Sequence, residues 1–307
     1  MESVDYDLVI IGGGPAGLTA GLYAARARLN VILIEKMAPG GQVLVTDWVE
    51  NYPGFPEGIT GFELVQKMAD QAKQFGLVVE SSEVIALHAD GQTKEIKLHD
   101  KTITTRGVII ATGASPKKLG VPGEKSLFGK GVSVCATCDG PFYRDKVVAA
   151  VGGGDTAVQE SIFLTKFAKK VYLIHRRDEL RATGILRERA LANDKMEILW
   201  DSVLTDIGGV ANVEKVTVKN VKSGDTKEIA ADGCFIWVGI RPNADFLGDG
   251  INRDDFGFII TDPNMETSVP GVFAAGDVRR TPLRQIVTAV GDAAIAAFSA
   301  EHYIENL

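Results

Sequence analysis

A glycine-rich turn occurs twice in this chain, and it restricts the fold more than any other feature of the sequence. The first copy, GGGPAG at 12–17, follows an apolar run at 7–11, and the second, GGGDTA at 152–157, follows an apolar run at 146–151. Strand, G-x-G-x-x-G/A turn and helix in this order form the dinucleotide-binding fingerprint of a βαβ unit. The sequence therefore predicts an α/β fold with two Rossmann-like, three-layer dinucleotide-binding domains. A glycine turn without a ligand is the alternative.

The two copies differ in the residue that ends the second strand. Glu35 stands 18 positions after Gly17, where a carboxylate accepts hydrogen bonds from a ribose diol. At the same offset the second copy has HRR at 175–177, with Arg181 one turn further on. Clustered guanidinium groups favour a 2′-phosphate, and two charge-assisted bonds of about 1.5–3 kcal/mol each favour NADPH over NADH by about a hundredfold or more. A solvated basic face is the alternative.

Both copies continue with a β-meander and a closing apolar strand, at 107–113 and 233–239. We expect one domain over 1–115 and 244–307 and a second, inserted domain over 116–243, because both crossings contain helix- and strand-breaking residues. The tail predicts a strand at 272–277 that ends in Asp277, then a helix from about 283 to 304. The N-terminus of such a helix stabilises negative charge, and a reduced flavin lying alongside would carry such a charge.

Two of the three cysteines, Cys135 and Cys138, are separated by only two residues. This spacing lets the sulfurs close and reopen a small ring and tends to lower the pKa of one thiol. Asp139 follows directly as a carboxyl group that can exchange a proton. A zinc site would need two further ligands, and a purely structural disulfide is a second alternative. We interpret Cys234, inside an apolar strand, as a core residue.

Composition excludes several classes of function. A chain of 307 residues suits about two domains. The net charge of −7 without a long basic run argues against nucleic acid and anionic membranes as partners. The sequence has no apolar run of 18 or more residues, and its acidic opening differs from a signal peptide. The few, closely spaced cysteines favour a redox site in the cytoplasm over a secreted disulfide framework.

The motifs GGGPAG, GGQ, ENYPG, ATGA, CATCDG, GGGDTA, HRRDELRA, FAAGD and TPLRQ occur in this order along the whole chain. In them the chain resembles the bacterial-type thioredoxin reductases, the small class of flavin disulfide reductases. The resemblance implies a homodimer with one FAD per subunit, which uses NADPH to reduce thioredoxin. It also implies that Cys138 faces the flavin, that Cys135 attacks thioredoxin and that Asp139 moves protons. No metal site is expected.

The resemblance also implies two sets of cofactor-binding residues. The FAD set is Gly12, Gly14, Pro15, Ala16, Gly17, Glu35, Lys36, Gly40, Gly41, Gln42, Asn51, Ala111, Thr112, Gly113, Gly276, Asp277, Arg284, Gln285 and Ile286. The NADPH set is Gly152, Gly154, Asp155, Thr156, His175, Arg176, Arg177 and Arg181. The alternatives are a flavin-dependent NADPH reductase for a ferredoxin- or glutaredoxin-like carrier, a non-enzymatic flavin redox sensor, and the reductase component of a peroxidase system.

Overall fold

The computed structural model describes residues 3–46 and 48–307. Met1 and Glu2, which belong to the predicted acidic opening, and Asp47 lie outside the described residues. The chain divides into two compact units, residues 1–115 with 241–307 and residues 116–240. The second unit is therefore inserted into the first. The chain returns to the first unit at Arg241, three residues before the predicted return at 244.

The first unit is built on one seven-stranded sheet. Its strands are β1 (Tyr6–Ile11), β2 (Val31–Glu35), β3 (Val78–Ser81), β4 (Ala86–His88), β5 (Lys94–Lys97), β6 (Thr102–Ile110) and β17 (Val272–Ala274). The order is β3-β2-β1-β6-β5-β4, and β17 pairs in parallel with the last residues of β6. The central strands are continuous apolar runs because both of their faces are buried.

Successive residues of these strands serve two different cores, since side chains alternate across a sheet. Leu8 and Ile10 join a core formed with the helices α1 (Pro15–Arg26), α2 (Gly61–Gln74) and α6 (Ile286–Glu305). Val9 and Ile11 join a core on the other face, where the β4–β5–β6 meander contributes. Small residues on α6, among them Ala293 and Ala297, are fully or nearly fully buried and allow close contact with α1.

The second unit repeats this plan with a separate meander. Its parallel sheet has the order β11-β10-β9-β15-β8, and β12-β13-β14 form an antiparallel sheet of their own. The parallel strands are β8 (Val132–Ser133), β9 (Val147–Val151), β10 (Lys170–Ile174), β11 (Met196–Leu199) and β15 (Gly233–Ile236). The meander strands are β12 (Ser202–Gly208), β13 (Lys215–Asn220) and β14 (Thr226–Ala230). The helices are α3 (Ala136–Asp139), α4 (Asp155–Leu164) and α5 (Gly184–Leu191).

The predicted three-layer arrangement holds in this unit, because the two faces of its parallel sheet belong to different cores. Val148 and Ala150 lie in the core shared with α3, α4 and α5, and Ala149 and Val151 lie in the core shared with the meander. The remaining strands, β7 (Ala114–Pro116) and β16 (Ile240–Pro242), form a two-stranded sheet where the chain crosses from one unit to the other.

Three predicted element boundaries were wrong. The last meander strand and the closing strand of the first unit are one continuous strand, β6. Asp277 lies in a short 3₁₀ helix, Gly276–Val278, and does not end a strand. Helix α6 begins at Ile286, so Arg284 precedes it and Gln285 is its N-cap; the backbone N–H of Gln285 donates to Thr288 Oγ1 at 3.1 Å, in a capping box.

Candidate functional site

The first fingerprint joins β1, β2 and β6 at the point where α1 begins. Gly12 N donates to Ile34 O at 2.9 Å, and Ala111 N donates to Ile11 O at 2.8 Å. Gly12 has φ +103°, and a Cβ atom there would lie 2.6 Å from Ala111 O, so only glycine fits. Helix α1 starts directly after Gly14 and leaves its first backbone N–H groups available for an anion.

Glu35 lies at the end of β2 and holds this turn in place. Its Oε2 accepts a hydrogen bond from Gly13 N at 2.6 Å, and its Oε1 accepts one from Met37 N at 2.9 Å. Each carboxylate oxygen has a second lone pair, which is available to a ribose hydroxyl. Lys36 next to it is exposed and pairs with Glu83 at 3.8 Å.

The segment after β2 returns to the fingerprint. Gly40 N donates to Gly13 O at 2.7 Å, and a Cβ atom on Gly41 would lie 3.1 Å from Gly14 Cα. Two glycines thus face each other and leave a narrow cradle beside the N-terminus of α1. The Gln42 side chain donates to Ala114 O and so fixes this segment against the start of β7.

The end of β6 is tied to the returning chain by one asparagine. Thr112 Oγ1 donates to Asn243 O at 2.6 Å, and Asn243 Nδ2 donates to Thr112 O at 2.9 Å. Asn243 N also donates to Gly113 O at 3.0 Å. These bonds place Thr112 and Gly113 beside the start of the second segment of this unit.

The C-terminal segment of the first unit carries a buried carboxyl group, Asp277, and a guanidinium group near it, Arg284. Burial raises the pKa of Asp277, and the nearby Arg284 opposes that shift. The guanidinium carbon of Arg284 lies 4.3 Å from the centroid of the Phe258 ring, and its buried Nε has no hydrogen-bond partner among the described residues. Asn51 Nδ2 donates to Gln285 Oε1 at 2.9 Å, next to Ile286 at the start of α6.

The second fingerprint reproduces the geometry of the first. Gly152 N donates to Ile174 O at 3.1 Å, and Trp237 N donates to Val151 O at 2.8 Å. No protein atom lies within 4 Å of the position that a Cβ on Gly154 would take. Helix α4 begins directly after it, and the exposed Thr156 is its second residue.

Asp155 does not point its charge at this helix N-terminus. Its Oδ1 accepts a hydrogen bond from Thr183 N at 2.7 Å. The carboxylate thus anchors the segment that precedes α5, and an anion at the helix N-terminus need not meet it.

His175 and the three arginines have different environments. His175 is only 4% exposed; a Cβ on Gly153 would lie 2.2 Å from its ring, and its Nε2 lies 3.0 Å from Glu179 O. Burial lowers the pKa of His175, so the neutral form is favoured. Arg176, Arg177 and Arg181 are exposed, and Arg181 N donates to Gly153 O at 2.7 Å. The positive charge expected from the sequence is therefore supplied by the arginines, and His175 supports the turn beneath them.

Cys135 and Cys138 form a disulfide with a Cα–Cα distance of 5.4 Å. Cys135 is the N-cap of α3, and Cys138 N donates to its Sγ at 3.2 Å. Asp139, the last residue of α3, is half-buried and accepts a hydrogen bond from the Ser133 hydroxyl. The predicted closure of the pair is confirmed, and a carboxyl group lies in the same short helix. Such an arrangement can exchange electrons by opening the disulfide and protons through the carboxyl group.

The comparisons with known proteins agree along the whole chain. The sequence profile of the pyridine nucleotide-disulphide oxidoreductases matches residues 6–293. The chain belongs to this family. Its members named thioredoxin reductase include one from Peptoclostridium acidaminophilum, 48% identical over 99% of this chain and 98% of the relative, and one from Bacillus subtilis (strain 168), 48% identical over 100% of this chain and 97% of the relative.

A solved structure supports the same conclusion. The crystal structure of thioredoxin reductase from Streptococcus pyogenes MGAS5005 is 49% identical, with a TM-score of 0.94 over 98% of this chain and 99% of that one. The two-domain, Rossmann-like fold predicted from the sequence is thus confirmed. Membership of the pyridine nucleotide-disulphide oxidoreductases implies the use of a flavin and a pyridine nucleotide.

Three other findings complete this description. Cys234 is fully buried in β15, and burial raises its pKa to about 12, which agrees with the predicted core role. The described residues include no group of three or more His, Cys, Asp or Glu side chains arranged to hold a metal ion. None of the helices in residues 3–46 and 48–307 is long and apolar enough to cross a membrane.

Sequence reasoning missed two residues of the disulfide region. Trp237 Nε1 donates to Val134 O at 2.9 Å and so fixes the segment before Cys135. Ser133 accepts a hydrogen bond from Cys135 N at 3.1 Å and donates to Asp139. Ser133 stands only two residues before Cys135, and that proximity was the one signal available in the sequence.

Proposed function

We propose that this protein is a thioredoxin reductase, which passes electrons from NADPH through FAD and the Cys135–Cys138 disulfide to thioredoxin. The observation that supports it best is the disulfide itself, which lies at the N-terminus of α3, with Asp139 directly after Cys138. The relatives named thioredoxin reductase agree with this reading over the full chain.

FAD is the flavin that the first unit would hold. The cradle between Gly14 and Gly41, next to the N-terminus of α1, suits a pyrophosphate, and the free lone pairs of Glu35 suit a ribose. At the other end of this unit, the buried Nε of Arg284 lacks a partner among the described residues, as a donor that awaits a ligand would. These features support a flavin adenine dinucleotide, because they include both a phosphate site and a sugar site.

NADPH is the pyridine nucleotide that the second unit would hold. Open space at Gly154, before the N-terminus of α4, leaves room for the pyrophosphate. Arg176, Arg177 and Arg181 are exposed guanidinium groups on the segment after β10, where a 2′-phosphate would lie. We infer that His175 packs against this segment and that the arginines alone supply the positive charge.

The protein's own groups would carry the exchange with the partner. FAD held beside Gly14, Gly41 and Glu35 would supply the two electrons that open the disulfide, and NADPH held by the second unit would supply them to the flavin as a hydride. We assign Cys138 to the flavin side and Cys135 to the attack on the thioredoxin disulfide. Asp139 gives a proton to a leaving thiolate and takes it back, because thiol–disulfide exchange alternates between thiol and thiolate.

The test is NADPH oxidation by the purified flavoprotein after addition of oxidised thioredoxin. Cys138→Ser should reduce turnover to the background rate, because the disulfide cannot form. Cys234→Ala is the matched control: it also removes one thiol, but from a buried core position in β15, and should leave turnover in place. A Cys138→Ser enzyme that still turns over would refute the proposal. Reduction of the flavin without thioredoxin turnover would indicate another carrier, such as a ferredoxin- or glutaredoxin-like protein.

We also propose that the protein forms a homodimer. Helix α6 and the residues just before it expose large apolar side chains, including Leu283, Ile295 and Phe298, the last 59% exposed. A row of this kind favours burial against a second copy. Phe298→Glu should therefore shift sedimentation from dimer to monomer, and a variant that stays dimeric would exclude this surface. The cysteine usage supports our assignment of the protein to the cytoplasm.

A further inference from the structure

We propose that Ser133 is a positioning residue for Asp139: its hydroxyl group holds the carboxyl beside the disulfide in the orientation from which a proton is exchanged with the cysteines. The inference rests on the proposed function, in which Asp139 carries that proton. It adds a residue from a different element, since Ser133 ends β8 whereas Asp139 ends α3.

The hydrogen bonds around Ser133 define the direction of its hydroxyl. Its Oγ accepts from Cys135 N at 3.1 Å and donates to Asp139 Oδ2. A serine hydroxyl has one proton, and Asp139 Oδ2 is a much closer acceptor than Cys135 O at 3.5 Å, so the bond to Asp139 uses the proton while a lone pair receives the Cys135 N–H. Ser133 thereby links the backbone of the first cysteine to the carboxyl group that follows the second.

Burial and strand pairing keep Ser133 in this place. Its side chain is only 5% exposed, and β8 pairs in parallel with β15, where Ser133 is opposite Phe235. The Val134 carbonyl next to it is held by Trp237 Nε1 at 2.9 Å. Strand pairing and burial therefore fix the place of the hydroxyl group that meets the carboxyl of Asp139.

Two further titratable groups lie close to this region. Tyr143, in the turn after α3, has its pKa raised to about 12 by burial and by the nearby Asp139, so it stays neutral. Glu160 on α4 lies near Ala136 N at the start of α3, and burial raises its pKa. Because Glu160 can also titrate, an assay of the Ser133 hydroxyl needs Asp139→Asn as its reference.

Opening of the disulfide by a dithiol isolates the proton step from flavin and thioredoxin. A dithiothreitol thiolate attacks one sulfur; a new S–S bond forms as the Cys135–Cys138 bond breaks. The departing cysteine thiolate takes the proton of the Asp139 carboxylic acid, which becomes a carboxylate. The second dithiothreitol thiol, after losing its proton to solvent, then closes its own ring and releases the other cysteine. The dithiol is thus oxidised by two electrons, and the protein is reduced.

Ser133 favours the carboxylate in this step, because its hydroxyl donates to the charged form. Removal of the donor should keep Asp139 protonated to higher pH. A hydrogen bond to a charged group changes such an equilibrium by about tenfold or more, which is a shift of about one pH unit. The measured quantity is the rate of disulfide opening divided by the fraction of dithiothreitol present as thiolate. This normalised rate should fall as the pH rises, and the midpoint of the fall should lie about one pH unit higher in Ser133→Ala than in the natural protein.

The experiment follows disulfide opening in the holoenzyme from about pH 3.5 to 9, a range that includes the ordinary titration of an aspartate, with iodoacetamide quenching and mass spectrometry of the alkylated cysteines. Ser161→Ala is the matched control, because Ser161 is fully buried on α4 and its hydroxyl has no hydrogen-bond partner among the described residues. Its profile should coincide with that of the natural protein. A shifted Ser133→Ala profile beside an unshifted Ser161→Ala profile is the expected result.

Two results would overturn the inference. The first is a Ser133→Ala profile that coincides with the natural one while Asp139→Asn abolishes the pH step. The second is a pH step that survives in Asp139→Asn, which removes the proton role of Asp139 and the role of Ser133 with it. The proposed electron route is tested separately by thioredoxin turnover, so either of these results would leave that test open.

A pair of isosteric variants keeps the test decisive if Ser133→Ala does not fold. Ser133→Thr retains the hydroxyl and Ser133→Val replaces it by a methyl group of the same size, so crowding affects both equally. The natural pH step in Ser133→Thr together with the shifted step in Ser133→Val would support the inference. Equal profiles of the two variants would overturn it.

Discussion

Replacement of Gly154 by alanine should separate nucleotide binding from folding. No protein atom lies within 4 Å of the new Cβ, and the backbone at Gly154, with φ −89° and ψ 178°, is open to any residue. The substitution should change stability by less than about 1 kcal/mol, because alanine restricts the unfolded chain but is a poorer N-cap residue than glycine. The new methyl group would instead occupy the space through which the pyrophosphate approaches the N-terminus of α4.

The loss of affinity follows from the hydrogen bonds at that helix end. Displacement of the pyrophosphate from one backbone N–H removes a charge-assisted bond of about 1.5–3 kcal/mol. We therefore expect NADP⁺ binding to weaken by about 10- to 150-fold. The non-reacting oxidised nucleotide is used so that calorimetry measures binding alone.

Gly153→Ala is the matched comparison one residue earlier. Its Cβ would lie 2.2 Å from the buried His175 ring, which can move only by loosening its contact with Glu179 O at 3.0 Å. Overpacking of this kind costs about 1–3 kcal/mol. Urea unfolding, followed by tryptophan fluorescence, measures the loss; one of the three tryptophans, Trp200, has its ring centroid 6.5 Å from that of His175. Natural NADP⁺ affinity in Gly154→Ala, or natural stability in Gly153→Ala, would refute the respective argument.

Three shorter predictions concern charges of the two fingerprints. Arg177→Ala should weaken NADP⁺ binding by about tenfold or more and leave NAD⁺ binding unchanged, because only the former has a 2′-phosphate; equal losses in calorimetry would contradict this. Glu35→Gln should lower the flavin retained after dialysis, seen as the ratio of absorbance at about 450 and 280 nm, because a neutral amide is the weaker ribose acceptor; unchanged retention would exclude that role. Burial lowers the pKa of His175, so below about pH 6.5 the unfolded chain binds a proton on this histidine more readily than the folded chain does, and stability should fall as the pH drops. The urea midpoint should fall less with pH in His175→Gln than in the natural protein. An equal fall would rule His175 out as the cause.

Local patterns were sufficient where a short stretch of chain determines its own structure. The predicted bounds of α2, 61–74, agree with the structure, because Thr60 caps the helix and the apolar residues recur at helical spacing. The strand at 170–174 also agrees. The start of α6 was predicted too early, because Pro282 is a common first helical residue, whereas the side-chain cap at Gln285 and Thr288 determines the actual start.

Contacts between distant segments decided what the sequence left open. The equal offsets of Glu35 and His175 predicted equivalent positions, and both side chains do lie under the middle glycine of their turns. Their chemistry diverges there: Glu35 accepts a hydrogen bond from Gly13 N, whereas His175 is buried and bonded to Glu179 O. The burial of His175 depends on contacts of its ring with the Gly153 turn, with Glu179 O and with Trp200, which no local pattern contains.

The sequence by itself determined the number of fingerprints, their order, the insertion of one unit into the other and the closure of Cys135 with Cys138, since each depends on residues close together in the chain or on repetition of a pattern. Only the tertiary structure decided that Ser133 is bonded to Asp139, that Asn243 ties the returning chain to Thr112, and that burial lowers the pKa of His175. Hydrogen bonding and burial at these positions arise from strands and helices that meet only after folding, and exclusion of solvent from the His175 ring then lowers its pKa.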